Sequence, residues 1–206
     1  MIITLIPQAK ITEITGATTE EEIKSYDDMA ASIIENYRGV KLLKTTITDE
    51  TKTMPYGLSR VITPVWGNIN SVTAFQVVSE DGTYHDLPAA ASHMSVGKYG
   101  IELLFNFNDV NIHTSQWADL FRPTVIPAKV ASVKLSYIAG LWDTYDDPNV
   151  PALLRLIAAQ ILDWFINGGG MAGMKSETMG SYSYTKEELQ NGLPQGIAMI
   201  LDGLRL

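Results

Sequence analysis

A chain of 206 residues is long enough to bury a core of its own, and the absence of cysteine removes disulfides and thiol chemistry from consideration. A formal charge of −8, from 23 acidic against 15 basic residues, argues against a DNA-holding surface, because a nucleic-acid binder shows a basic patch or stripe and none stands out. No apolar run approaches the roughly 20 residues of a membrane span, and Met1–Pro7 is too short, and lacks the basic start, for a signal peptide.

In chain order, Met1–Gly16 reads as an extended arm with at most a short turn. Thr18 or Thr19 then caps a helix. Thr19 and Glu22 have capping-box spacing, and Glu20 and Glu21 suit the positive end of the helix dipole. Ile23, Tyr26, Met29, Ala30, Ile33, Ile34 and Tyr37 fall along one face, and Gly39 stops the helix. Asp27-Asp28 reads as part of its solvated side.

From Val40 to about Asp143 the period changes to two. Leu43, Thr45 and Ile47 alternate, and Val61–Trp66 and Val72–Val78 are rich in β-branched and aromatic residues. Glu80-Asp81-Gly82 is a hairpin turn with Tyr84–Leu87 as the return, and Gly97–Gly100 is a second tight turn before Ile101–Phe107. Trp117, Leu120 and Phe121 suit a short helical turn within Asn108–Pro127. Val130–Ile138 is the last strand.

An acidic, turn-forming run, Asp143–Asn149, precedes Pro151, which is placed at the first position of a helix, where its missing N–H costs nothing. Leu153, Leu154, Leu156, Ile157, Ile161, Leu162, Phe165 and Ile166 leave this helix apolar over most of its circumference, so burial on several sides is expected. Gly168–Gly170 ends it. A serine- and tyrosine-bearing loop follows, and a second helix starting near Pro194 carries Ile197, Ile200, Leu201 and Leu204, with Arg205 as a favourable charge for its end.

Helix, then strands, then helices is the order of an α+β fold. The expected architecture is a small helical bundle formed by the N- and C-terminal helices (residues 1–40 and 147–206, one discontinuous domain) with an inserted, mainly antiparallel β domain at 41–146.

No catalytic motif emerges. Gly168, Gly173, Lys175 and Ser176 only partly match a phosphate-binding loop: Met174 interrupts the spacing, and a helix rather than a strand precedes it. His85, His93 and His113 lack the spacing of zinc ligands, and Asp143, Asp146 and Asp147 lack the alternation and glycine of a calcium loop. Loop histidines and solvated capping aspartates are the preferred readings, so no catalytic, cofactor or metal residue is assigned. Trp66, Trp117, Trp142 and Trp164 suit core or subunit contacts better than a sugar-binding platform. The Ser176–Thr185 loop mixes tyrosine and serine, which supply contact area and hydrogen bonding at interfaces.

The stretch Lys175–Tyr184, between a proline-started apolar helix and Leu193-Pro194 with a closing helix, resembles the tailed-bacteriophage head–tail connector (adaptor) family. Ser176, Glu177, Gly180, Tyr182 and Tyr184 match the family's loop pattern. Ile14-Thr15-Gly16 with the helix ending Ile34–Gly39 is similar to the family's opening, and Tyr137–Gly140 to the strand that closes its β part. The sequence departs from the family in the Gly168–Gly173 run and in having no extended tail after the last helix. The resemblance implies a non-enzymatic virion protein without cofactors, assembled in the bacterial cytoplasm and resident at the neck. It implies a homo-oligomeric ring, a dodecamer, docked below the portal protein, with a stopper, tail-terminator or tail protein on its other side. DNA would pass through the channel without sequence-specific binding, along a lumen expected from net charge to be acidic. The matched loop residues would make subunit contacts, and Pro194, Ile197, Leu201, Leu204 and Arg205 would face the portal. A binding module that recognises carbohydrate or a host surface through the β part is the alternative.

Overall fold

The computed structural model describes residues 2–54, 61–79, 82, 84–87, 94–97, 100–103, 130–168, 178–179, 182–183 and 189–204. It has the expected α+β class, and the chain divides into two compact units: Met1–Leu42 with Trp142–Leu206, and Leu43–Leu141.

The first unit is helical. Helix α1, Gln8–Thr15, occupies much of the stretch read as an extended arm. Pro7 starts it, and Gly16, at φ 75°, ends it in a left-handed turn by donating its N–H to Thr12 O at 2.8 Å. Only Ile11 of this helix is buried, so it offers no apolar stripe by which periodicity could find it.

Helix α2, Glu20–Arg38, begins as expected. The Glu22 N–H donates to Thr19 Oγ1 at 3.3 Å, and Glu22 Oε2 accepts from the Thr19 N–H at 3.2 Å. Gly39, at φ 66°, closes it. Its buried face differs from the expected one. Ile23, Ala30 and Ile34 are inside, but so are Asp27, Ala31 and Glu35, while Tyr26, Met29, Ile33 and Tyr37 are half-buried. Asp27 is therefore not on the solvated side; it is 2% exposed.

Helix α3, Ala152–Asp163, is preceded by Pro151 as its N-cap, in an extended conformation (φ −61°, ψ 132°), one residue before the expected place. It continues into a π-helical turn, Trp164–Gly168. Helix α4 runs Gln195–Gly203. The core of the unit gathers Leu5, Ile6, Ile11, Ile34, Leu42, Leu154, Ile157, Ile161, Leu162, Ala198 and Leu201. Where the two chain segments of the unit meet, the Trp142 N–H donates to Leu42 O at 3.0 Å.

The second unit is β-structured. Strands β1 (Thr45–Thr53), β3 (Ile69–Ser79), β4 (Tyr84–Leu87) and β7 (Val130–Ala139) form one sheet in the order β1-β7-β3-β4. Strands β2 (Val61–Ile62), β5 (Met94–Gly97) and β6 (Gly100–Leu103) form a second in the order β2-β6-β5. All pairings are antiparallel. Both expected hairpins are present: Val78 pairs with Tyr84 with Gly82 at φ 83° between them, and Gly97 pairs with Gly100.

The expected strand Val61–Trp66 shrinks to two residues. Pro64 has no N–H to give to a ladder, and it limits extension there. Phe75, Val77, Val133, Leu135, Tyr137 and Ala139 pack with Ile62 and Ile101 into this unit's core, and half-buried Trp66 covers it. Gly140, at φ 142°, lets the chain pass the Leu43 carbonyl so closely that a Cβ would lie 2.4 Å from its oxygen. Trp117 and the rest of Asn108–Pro127 lie outside the described residues.

Candidate assembly surfaces of the helical unit

The helical unit is held by charged side chains that grip main-chain atoms far along the chain. The Asp27 carboxylate accepts the Leu5 N–H and the Ile6 N–H, both at 2.8 Å, which ties the first residues to α2. Burial pushes its pKa up, and the two N–H donors partly offset that. Glu35 Oε1 accepts the Leu42 N–H at 2.9 Å, and Lys41 Nζ sits 2.6 Å from its other oxygen. Burial, reinforced by the charges of Asp27, Glu35 and Asp28, raises the pKa of the Tyr145 hydroxyl. The Tyr145 carbonyl is taken by the Arg155 guanidinium.

Arg38 closes α4. Its guanidinium donates to Leu201 O at 2.7 Å, which also accepts the Leu204 N–H at 3.2 Å, and to Leu204 O at 3.1 Å, so a cation sits at the negative end of the helix. Tyr37 and Gln190 donate to Asp202 at 3.1 and 3.3 Å, so α2, α4 and the chain before α4 meet at one node. Arg38, 163 positions before Leu201, thus serves this helix end; Arg205, expected at the same end, lies outside the described residues.

Before α4, strands β10 (Leu189–Gln190) and β11 (Leu193–Pro194) form a hairpin across Asn191-Gly192. Both turn residues have positive φ, 52° and 84°, which is the two-residue hairpin that Asn-Gly favours. The hairpin walls a groove of about 390 Å³ with Ile33, Asn36 and Tyr37 of α2, Phe165 of the π-helical turn, and Leu193.

Helix α3 is buried over more than half of its circumference, about 200° at 100° per residue, through Leu154, Ile157, Ala158, Ala159, Ile161 and Leu162. Leu153 and Leu156, expected to be inside, are 44% and 55% exposed. The strip left uncovered carries Leu153 and Leu156 and forms a surface ridge that continues through exposed Gln160.

The expected portal-facing residues divide. Leu201 and Pro194 are buried, Ile197 and Leu204 are half-buried, and the outward apolar pair of α4 is Met199 (64% exposed) with Ile200. Of the expected loop contacts, Tyr182 lies on β9 (Tyr182–Ser183), where it pairs with Met179 of β8 (Thr178–Met179). Ser176, Glu177, Gly180 and Tyr184 lie outside the described residues, as do His93 and His113. Trp142 is buried, and Trp164 is half-buried, edge-on to Phe165 at 4.7 Å. In the acidic loop, Asp147 Oδ1 accepts the N–H and the side-chain amide of Asn149 at 2.8 Å, a local turn contact. Among the described residues no three histidine or acidic side chains converge as metal ligands would, and no helix is long and apolar enough to cross a membrane.

No family model matches this chain, and no curated protein matches it. Solved structures do. It is similar to a chain in the neck of an empty GTA particle computed with C6 symmetry, with a TM-score of 0.52 and 14% identity over 98% of this chain and 91% of that one. It is similar to a chain in the neck of a native GTA particle computed with C12 symmetry, with a TM-score of 0.50 and 12% identity over 100% and 97%. A chain in the virion of a native gene transfer agent particle gives 0.53 and 13% over 100% and 94%. At these identities the likeness is one of fold, and it spans both units.

Proposed function

We propose that the chain is a structural protein of the neck of a phage-like particle: a head-to-tail adaptor that forms a closed ring below the portal protein. The single observation that carries this reading is the near full-length fold likeness to a chain of a C12-symmetric neck. The family resemblance of the loop and flanking helices agrees with it from the sequence side.

In this reading the work is assembly, and no bond is made or broken. The helical unit builds the ring wall, through contacts between copies that are head to tail and close on themselves, twelve to the ring. The region around Gly192–Leu206 faces the portal, with Met199 and Ile200 as the exposed apolar pair that docking would cover. The tail side of the ring receives a stopper, a tail-terminator or a tail protein. The net charge of −8 supports an acidic lumen that repels DNA phosphates and lets the genome slide without sequence-specific binding. The ring assembles in the bacterial host cytoplasm and stays in the virion.

Native mass measurement and negative-stain imaging, of the protein alone and mixed with the portal protein of the same particle, test the reading. Rings, or monomers that become rings on the portal, are expected. A monomer that ignores the portal would overturn it and leave the β unit as a carbohydrate- or host-binding module, with glycan screening as the next measurement.

A further inference from the structure

The ridge and the groove of the helical unit sit on different sides of one rigid element. Leu153, Leu156 and Gln160 lie on the exposed flank of α3, whereas Phe165, on the π-helical turn that continues it, lines the groove. One helix therefore offers an apolar ridge on one side and the wall of a groove on another. A patch that pairs with itself gives a two-fold dimer, whereas two different, complementary patches give a contact that repeats in one direction.

The chemistry of the two surfaces matches. The groove is floored by Ile33, Phe165 and Leu193 and edged by the amides of Asn36 and Asn191, and among the described residues its lining has no charged side chain. The ridge presents Leu153 and Leu156 and then the amide of Gln160, all exposed. Its neighbouring cation, Arg155, is turned toward the Tyr145 carbonyl, and Asp163, beyond Gln160, holds the Asn167 amide at 2.7 Å. Copies that each carry −8 repel one another. They meet at least cost through surfaces that oppose no like charges, and the described residues of these two carry none. Leucine side chains seated in this groove of about 390 Å³ would displace water from apolar surface.

We infer that the Leu153–Leu156 ridge of one copy seats in the Ile33–Phe165–Leu193 groove of the next, and that this is the repeating contact between subunits. The inference rests on the ring reading and names the surfaces that make the ring.

The chain has no cysteine, which makes a thiol test clean. Leu156→Cys and Asn36→Cys are introduced together, and the assembled protein is treated with a short bismaleimide. A ladder of cross-linked species up to the full ring is expected on a denaturing gel. The two single variants, mixed, should stop at dimers, and neither should cross-link alone. Independently, Leu156→Glu should weaken association at least tenfold by native mass while leaving the thermal melt of the subunit unchanged. Rings that form without the 36–156 cross-link, or that persist in Leu156→Glu, overturn this contact and leave the ring reading standing. Leu156→Cys cross-linking to itself as readily as in the mixture shows a two-fold contact and overturns it as well. Absence of any ring, with or without portal protein, overturns both.

Discussion

In the helical unit, Asp27, Glu35 and Arg38 reach main-chain atoms 22, 7 and 163 residues away, and each joins segments that share no ladder. In the β unit, register does that work. Strand β7 pairs with β1 on one side and β3 on the other over most of its length. The carboxylate that matters there, Glu50, sits at a bulge, where Oε1 accepts the Val65 N–H at 2.8 Å and Oε2 accepts the Tyr137 hydroxyl at 2.5 Å. The burial of Tyr137 and its bond to Glu50 push that hydroxyl's pKa up. One unit is thus positioned by side chains seizing backbone, the other by backbone fitting backbone. Damage should follow the same division: main-chain fit should be the vulnerable property of the β unit, and lost side-chain grips that of the helical one.

The sharpest way to break the contrast is Gly140→Ala. The added carbon would lie 2.4 Å from the Leu43 oxygen, at a φ of 142° that side-chain-bearing residues rarely adopt. A loss of about 3 kcal/mol is expected in denaturant unfolding. A variant within about 0.5 kcal/mol of the parent, the size of an ordinary surface substitution, would show that the backbone there yields.

Of similar size is Asp27→Ala, which leaves two buried N–H groups without acceptors and should cost about 2–4 kcal/mol. Amide exchange at Leu5 and Ile6 should accelerate with it; unchanged protection there would mean that the first residues are held by packing alone. Asp27 also has a signed pH signature. Its folded pKa lies above the ordinary aspartate value, so the folded state takes up the proton more readily. The contribution to stability is full below the unfolded pKa and is lost as pH rises through the folded one. The difference in stability between parent and Asp27→Asn should therefore shift against the parent as pH rises through that window. A flat difference would contradict the burial of the carboxylate.

Thr19→Ala removes one half of the capping box and should cost about 1 kcal/mol, the smallest effect of the three. A comparable loss from Thr18→Ala would misplace the cap.

The contrast between the units also explains what could be read from the sequence. The β part was legible because alternation reports a strand directly, and Gly82 and the Gly97–Gly100 pair marked its hairpins. It misled at Val61–Trp66, where composition favoured a strand and Pro64 denied the ladder a donor. In the helical part, α2 was marked by Thr19, Glu22 and Gly39, whereas α1 buries a single residue and leaves no periodic trace. Asp27 beside Asp28 looks solvated because nothing local reveals the N–H groups arriving from residues 5 and 6. Sequence proximity could not point to Arg38 as a partner of the last helix, because it lies 163 residues from Leu201. The groove's hairpin did carry a signal, Asn191-Gly192 between Leu189-Gln190 and Leu193-Pro194, although those flanking segments are too short to alternate. The exposure of Leu153 and Leu156 was hidden because apolar periodicity reports that a side chain avoids water, not whether its own chain or another covers it.

In the sequence the β unit, Leu43–Leu141, lies between the two segments of the helical one, and this imposes an order in time. On a ribosome moving at about 5–20 residues per second, α2 is exposed seconds before α3 is made, and the β unit is complete before its neighbours have partners. The groove does not exist until the Asn191-Gly192 turn has emerged, nor is α4 capped until its last carbonyls reach Arg38. On the proposed groove contact, a nascent chain would lack the surface by which copies recognise each other until its last turn is made.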